Sequence, residues 1–334
     1  MNIALIGLGY WGPNLLRNIY ENRLANRLVA CDTDTKKLER VKNRYPTVET
    51  VSNAEQVAND PDIDAVIIAT PVSSHYPLAK ACLQNNKHVF IEKPFASSSR
   101  EAQELIDIAE KNKKLIMIGH TFEYSPPVIK INELIEKGTL GDLYYISSSR
   151  VNLGLHQKDV SVIWDLAPHD FSILFYWLKE QPIRVSAMGK DYVQKNIPDV
   201  AFINLEFESG CVAHVQVSWL APSKLRRTAI VGSEKMLVYD DTENIEKVKI
   251  YDKGVDYKDP ETFGEFQLSY RTGDVLSPKI ETFEPLAFEM KHFVECCKNG
   301  KTPKSDGYSG LRVVKTLEAA EESLRNNSKV VEIK

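Results

Sequence analysis

No apolar run in this chain of 334 residues is longer than Ile173–Leu178, far short of the roughly 20 residues that a membrane-spanning helix needs. Neither sign of charge dominates, since 42 lysines and arginines stand against 46 aspartates and glutamates for a net charge of −4. That balance leaves no electrostatic footprint for nucleic acid or an anionic membrane surface. Cysteine is scarce. Cys31, Cys82, Cys211, Cys296 and Cys297 offer no Cys-x-x-Cys spacing, which excludes thiolate zinc and dithiol motifs and predicts free buried thiols in a reducing compartment. The first residues lack the basic region, apolar core and cleavage site of a secretory leader, so a cytoplasmic location is expected. No internal repeat or low-complexity tract interrupts the chain.

What is present is ordinary globular material, 43% hydrophobic and 26% charged, long enough for about two domains. From Met1 to about His120, short β-branched runs alternate with amphipathic stretches. This α/β rhythm predicts a doubly wound parallel sheet with helices on both faces over residues 1–120. Strands are expected at Asn2–Ile6, Leu28–Cys31, Ala65–Ala69, His88–Ile91 and Leu115–Ile118, with a short one near Val48–Val51. Ser52-x-x-Glu55 and Ser98-x-x-Glu101 have the capping-box form that starts helices. After Pro126-Pro127 a helix over Val128–Lys137 stops at Gly138, and strands then follow one another. Alternation through Ala201, Ile203, Leu205 and Phe207, and again through Ala213, Val215, Val217 and Trp219, predicts an antiparallel hairpin about Ser209-Gly210. Residues 121–334 therefore read as an α+β domain with a large, mostly antiparallel sheet and helices at Leu286–Lys298 and Leu311–Arg325. Nothing in the sequence covers the far face of that sheet, so a homodimer or homotetramer through it is expected.

Gly7-x-Gly9-x-x-Gly12 follows the first strand and opens a helix, and Asp32 stands 20 residues beyond Gly12 at the end of the second strand. This context marks a dinucleotide site. Gly7 permits a tight turn, Gly9 close approach of the pyrophosphate and Gly12 close helix packing, with Tyr10 and Trp11 in the same loop. Asp32, beside Thr33, accepts from the adenosine ribose and repels a 2′-phosphate, so NAD is preferred over NADP; Lys36 and Lys37 nearby read first as a solvated helical turn and, if turned toward the ribose, would soften that preference. Ligands collect beyond the carboxyl ends of such strands. The loops Ala69-Thr70-Pro71 with Ser74-His75, Glu92-Lys93-Pro94 and Gly119-His120 should converge there. In that geometry Thr70, Pro71, His75 and His120 border the cofactor and Glu92 bonds its nicotinamide ribose.

Lys93 follows a buried strand and precedes a proline, a position for a salt bridge or a chemical group, and burial there depresses an ammonium pKa. In Trp164-Asp165-Leu166-Ala167-Pro168-His169-Asp170, Asp165 and His169 lie four apart, on one face of a helix, with Pro168 best placed in its first turn. A carboxylate beside an imidazole suits acid-base catalysis. Metal binding, the competing reading, lacks a third and fourth ligand, and no metal is expected.

Taken in order, the glycine fingerprint, the Ala-Thr-Pro loop, Glu92-Lys93-Pro94 and Asp165-x-x-x-His169 resemble the Gfo/Idh/MocA oxidoreductases over nearly the whole chain. The resemblance implies a Rossmann domain, an α+β sheet domain that builds dimers or tetramers, and hydride transfer between a sugar or cyclitol ring carbon and nicotinamide. By position it assigns Lys93 to the reacting hydroxyl, His169 to proton acceptance and Asp165 to their support. Val160-Ser161-Val162-Ile163 stands where a Gly-Gly pair often precedes the aspartate. Gly119-His120-Thr121-Phe122-Glu123, Arg150-Val151-Asn152 and Asp159 to Asp165 look more like the nucleotide-sugar branch of polysaccharide biosynthesis, which acts on UDP-N-acetylglucosaminuronate at C3. A substrate of that kind calls for cations; Arg150, Lys158, Arg226, Arg227 and Arg271 are available, each alone reading as a surface charge, and only Arg150 is assigned to the substrate, with Asn152 and His156 as neighbours. Inositol or a free monosaccharide is the alternative substrate. A dinucleotide-binding regulator without chemistry is the alternative function.

Overall fold

The computed structural model describes residues 1–154, 156, 160–257 and 268–333, which fall into two compact units. The first comprises Met1–Ser125 and Phe283–Glu318, and the second Pro126–Thr282 and Ala319–Lys334.

In the first unit, β1 (Asn2–Ile6), α1 (Gly12–Glu21), β2 (Arg27–Cys31), α2 (Thr35–Arg44), β3 (Glu49–Val51), α3 (Ala54–Asn59), β4 (Ala65–Ile68), α4 (His75–Gln84), β5 (His88–Glu92), α5 (Ser99–Lys111) and β6 (Ile116–Gly119) follow in order. All the strand pairs are parallel, in the order β3-β2-β1-β4-β5-β6. β1 and β4 are adjacent although half the sheet separates them in sequence, and the order reverses between them, which is where such sheets form a ligand crevice. The central strands β1, β4 and β5 are largely apolar because helices bury both faces; each fully buried Ile, Leu or Phe contributes about 1.5–3 kcal/mol.

Of the two capping expectations, one changes and one holds. Asn53, not Ser52, caps α3, its side chain accepting the Glu55 N–H at 2.9 Å. Ser98 does cap α5, accepting the Glu101 N–H at 3.2 Å, while Glu101 reaches back to the Ser97 N–H at 3.1 Å.

The second unit holds α6 (Pro126–Glu136), β7 (Leu143–Leu153), α7 (Val162–Leu178), β8 (Pro182–Lys190), β9 (Val200–Phe207), β10 (Val212–Ser218), β11 (Leu220–Gly232), β12 (Met236–Asp240), β13 (Val248–Tyr257) and β14 (Leu268–Leu276). Its sheet runs β14-β13-β12-β11-β7-β10-β9-β8-β15, closed by β15 (Val331–Glu332). Every pair is antiparallel except β7 with β10. Gly210, at φ +88°, makes the β9–β10 turn. One face packs on α7, where Phe171, Leu174 and Phe175 are buried and Phe175 meets Phe207 of β9 edge-on, with ring centroids 6.4 Å apart. The other carries Tyr145, Val212, His214, Gln216, Phe202 and Met188 in register.

α8 (Pro285–Asn299) and the start of α9 (Gly307–Arg325) were expected in the second domain but belong to the first unit. The reason is packing: Leu286, Met290, Phe293 and Val294 form one apolar stripe that joins the core of β1, β4, β5 and α1. Among the described residues no helix is long and apolar enough to cross a membrane.

Candidate active site

The glycine loop shows why two of its three positions are glycine. At Gly7, φ is +100° and a Cβ would lie 2.4 Å from the Ala69 carbonyl oxygen; at Gly12 it would lie 2.0 Å from that of Gly7. At Gly9 a Cβ would meet nothing within 4 Å. Two glycines are thus required by packing, and the third borders open space. No side chain caps α1, whose N-terminal donors face the loop. Asp32, with a side chain 8% exposed, accepts Leu8 N–H at 2.7 Å, Asp34 N–H at 2.9 Å and Lys37 Nζ at 3.2 Å. Burial pushes its pKa up, but those bonds outweigh it and hold it below the usual aspartate value. An ionised carboxylate accepts about four bonds, so capacity for a ribose remains. These features fit a dinucleotide: the α1 N-terminus and Gly9 for pyrophosphate, Asp32 for ribose. Tyr10 is 90% exposed, and Thr33 and Trp11 are also exposed.

The structure brings the loops after β1, β4, β5 and β6 together. Gly7 abuts Ala69 and Thr70. His75, buried, contacts Thr70 O through Nε2 and Pro94 O through Nδ1, each at 2.9 Å, and burial lowers its pKa. It is a strut between two loops, with Pro71 exposed beside it. Lys93 is half-buried, its peptide to Pro94 is cis, and its N–H donates to Glu92 Oε2 at 3.2 Å. Glu92 sits over Gly119, where a Cβ would come within 3.0 Å of the carboxyl group. Burial raises Glu92 to about 7, against the opposing influence of the Lys93 charge, its N–H and the Trp11 indole. His120 is buried with neither ring nitrogen hydrogen-bonded, and burial followed by the Lys93 charge lowers it to about 3.

In the second unit α7 begins at Val162, so Pro168 stands inside the helix rather than in its first turn. It leaves the Trp164 carbonyl without its helical donor. Asp165 and His169, both half-buried, lie one turn apart on the same face. Trp219 Nε1 donates to Asp165 Oδ2 at 3.0 Å, and the His156 ring packs 5.3 Å from the Trp219 ring. His156 Nε2 has no hydrogen-bond partner. Asn152 Nδ2 lies beside Gly154, whose N–H donates to Trp219 O at 3.0 Å. Sequence reasoning read Trp219 only as the last apolar residue of a strand and missed its indole donor.

Arg150 departs from expectation. Only 5% exposed, it donates through Nε to Asp170 at 2.6 Å, and Asp170 also accepts from Ser148 at 2.8 Å. Its charge is met inside the unit rather than presented to an incoming anion. Arg226 pairs with Asp241 and Arg271 with Asp252. Arg227 is exposed, and Lys158 and Asp159 lie outside the described residues. Among the described residues no cluster of three or more His, Cys, Asp or Glu is placed to hold a metal ion.

Residues 1–120 match the Gfo/Idh/MocA oxidoreductase family, NAD-binding Rossmann fold, and residues 128–238 match the Gfo/Idh/MocA C-terminal domain. The chain belongs to the Gfo/Idh/MocA oxidoreductases. It is 30% identical to the uncharacterized oxidoreductase YdgJ of Escherichia coli over 178 residues, 51% of each chain. The scyllo-inositol 2-dehydrogenase (NAD(+)) of Bacillus subtilis is 24% identical over 98% of this chain and 95% of its own. UDP-N-acetylglucosamine 3-dehydrogenase of Acidithiobacillus ferrooxidans is 28% identical over 58% and 60%. The solved structure of the Acidithiobacillus enzyme aligns with TM-score 0.81 at 21% identity, covering 98% of this chain and 99% of that one.

Proposed function

We propose that this Gfo/Idh/MocA protein is an NAD-dependent dehydrogenase that oxidises a ring hydroxyl of a nucleotide sugar, at C3 of a UDP-N-acetylglucosaminuronate-type substrate. The observation that carries the chemistry is Asp165, fixed by Trp219 one turn from His169, in a chain whose Rossmann unit places Lys93 at the end of β5. Bound NAD supplies the hydride acceptor. His169 or Lys93 takes the hydroxyl proton, and Asp165 supports the positive charge that develops on the base. Asp32 accepts from the adenosine ribose, and its charge disfavours a 2′-phosphate, so NAD binds in preference to NADP; Lys37, already on Asp32, moderates that preference. Thr70, Pro71, Glu92 and His120 border the nicotinamide half, and Asn152 and His156 meet the sugar.

The substrate assignment is supported by the UDP-N-acetylglucosamine 3-dehydrogenase relative. A second reading, a cyclitol such as inositol, is favoured by two observations: Arg150 is neutralised by Asp170, and the scyllo-inositol enzyme aligns along almost the whole chain. Turnover of UDP-N-acetylglucosaminuronate against scyllo- and myo-inositol, with NAD and then NADP, decides between them. Inositol turnover alone overturns the nucleotide-sugar assignment. We further propose a cytoplasmic protein, consistent with its free thiols, that forms a homodimer or homotetramer through the outer face of the second unit's sheet.

A further inference from the structure

Glu289 on α8 is fully buried, and the chemistry above makes no use of it. Its Oε2 accepts from Thr121 Oγ1 at 2.7 Å, while its Oε1 has no hydrogen-bond partner. Glu92 repeats that pattern, with Oε2 taken by the Lys93 N–H and Oε1 without a partner. The fold brings these two acids near enough for the Glu92 charge to bear on Glu289. Phe90 of β5 meets Phe293 of α8 edge-on, with ring centroids 5.6 Å apart. Residues two apart on a strand, or four apart on a helix, share a face, so Glu92 and Glu289 extend the same contact by one step. Gly119, the β6 partner of Glu92, supplies the space.

Two ionised carboxylates cannot share such a space, and buried oxygens do not go unsatisfied. One proton held between them, directly or through a water, answers both requirements. We propose that Glu289 is a positioning residue that keeps a proton beneath Glu92, so that Glu92 is charged when cationic oxidised nicotinamide is bound and takes up a second proton when the neutral reduced form is bound. The proposal rests on the placement of Glu92 beside the nicotinamide half. Burial and then the Glu92 charge raise Glu289 well above the usual carboxylate range, whereas Glu92 lies at about 7. Among the described residues the other ionisable groups around the pair are Lys93 just after β5, His120, Glu123 and Tyr124 after β6, and His292 and Lys304 against the Tyr124 ring. Just before α1 the Trp11 indole lowers Glu92, and on α1 Asn18 donates to Glu284 and Arg17 pairs with it.

NAD+ binding then releases a proton from the pair to solvent, and NADH binding does not. The test is the affinity of the full chain for NAD+ and for NADH from about pH 6 to about pH 8, in the wild type, Glu289→Gln and Glu289→Leu. Wild-type affinity for NAD+ should rise about tenfold with pH while NADH changes by less than about threefold. Gln, whose amide still donates to Glu92, should retain both patterns. Leu, with no donor, should shift the NAD+ rise upward by about one pH unit. Equal pH dependence for NAD+ and NADH in the wild type overturns the proposal, as does a Gln variant shifted like Leu or a Leu variant that matches the wild type. The wild-type and Gln arms decide the matter if Leu fails to fold. Because binding is read, pH-linked NAD+ affinity without turnover of any sugar sinks the dehydrogenase reading alone. Absence of NAD binding sinks both.

Discussion

Trp219, in the bend between β10 and β11, donates its indole N–H to Asp165 across 3.0 Å. This bond joins that bend to the helix that carries His169. A hydrogen bond to a charged group is worth about 1.5–3 kcal/mol. Trp219→Phe, which keeps the ring and loses the donor, should therefore lower kcat by about 10- to 100-fold with NAD affinity unchanged. Steady-state kinetics with separate NAD titration checks this.

Lys93→Ala and His169→Ala should each lower turnover by about 10² to 10⁴ while leaving NAD affinity nearly intact. Full activity in either variant removes that residue from the mechanism.

The glycines separate binding from folding. Gly9→Val places its side chain in open space and should abolish NAD binding with little change in Tm. Gly12→Ala drives a Cβ to 2.0 Å from Gly7 O and should lower Tm by several degrees. Paired melting and binding curves distinguish the two effects.

Glu92 ties stability to pH in the direction opposite to most carboxylates. Its folded pKa, about 7, lies above the ordinary 4.5, so between those values the folded state binds the extra proton and stability falls as pH rises. Glu92→Gln removes that loss and should stabilise the NAD-free protein by about 1–3 kcal/mol at pH 8, and far less at pH 5. Chemical denaturation at the two pH values gives the comparison.

The first unit was legible because its signals are local. Short β-branched runs such as Ala65–Ile68, set between turn signals, read as buried strands, and the spacing of Gly7, Gly9, Gly12 and Asp32 encodes one dinucleotide site. The cap at Asn53 was misread because Ser52 and Asn53 both present a side-chain acceptor before Glu55, and only backbone geometry selects between them. Non-local features were hidden. The attachment of Leu286, Met290 and Phe293 to the first core spans most of the chain, and an amphipathic stripe does not name its partner. Arg150 is a lone cation in a strand until Asp170 on α7 is brought against it. Glu289 did leave a trace, as a carboxylate interrupting the apolar face of α8.

The most direct test of the central claim is hydride transfer itself. Concentrated protein, without and then with added NAD, is given UDP-N-acetylglucosaminuronate carrying deuterium at C3, and the nicotinamide is followed by its near-ultraviolet absorbance and by mass. Reduced nicotinamide carrying the deuterium is the predicted result, and reduction without added NAD would show that the protein retains its cofactor. Unreduced nicotinamide, from a protein that binds NAD and is given this substrate and the inositols in turn, would contradict the account.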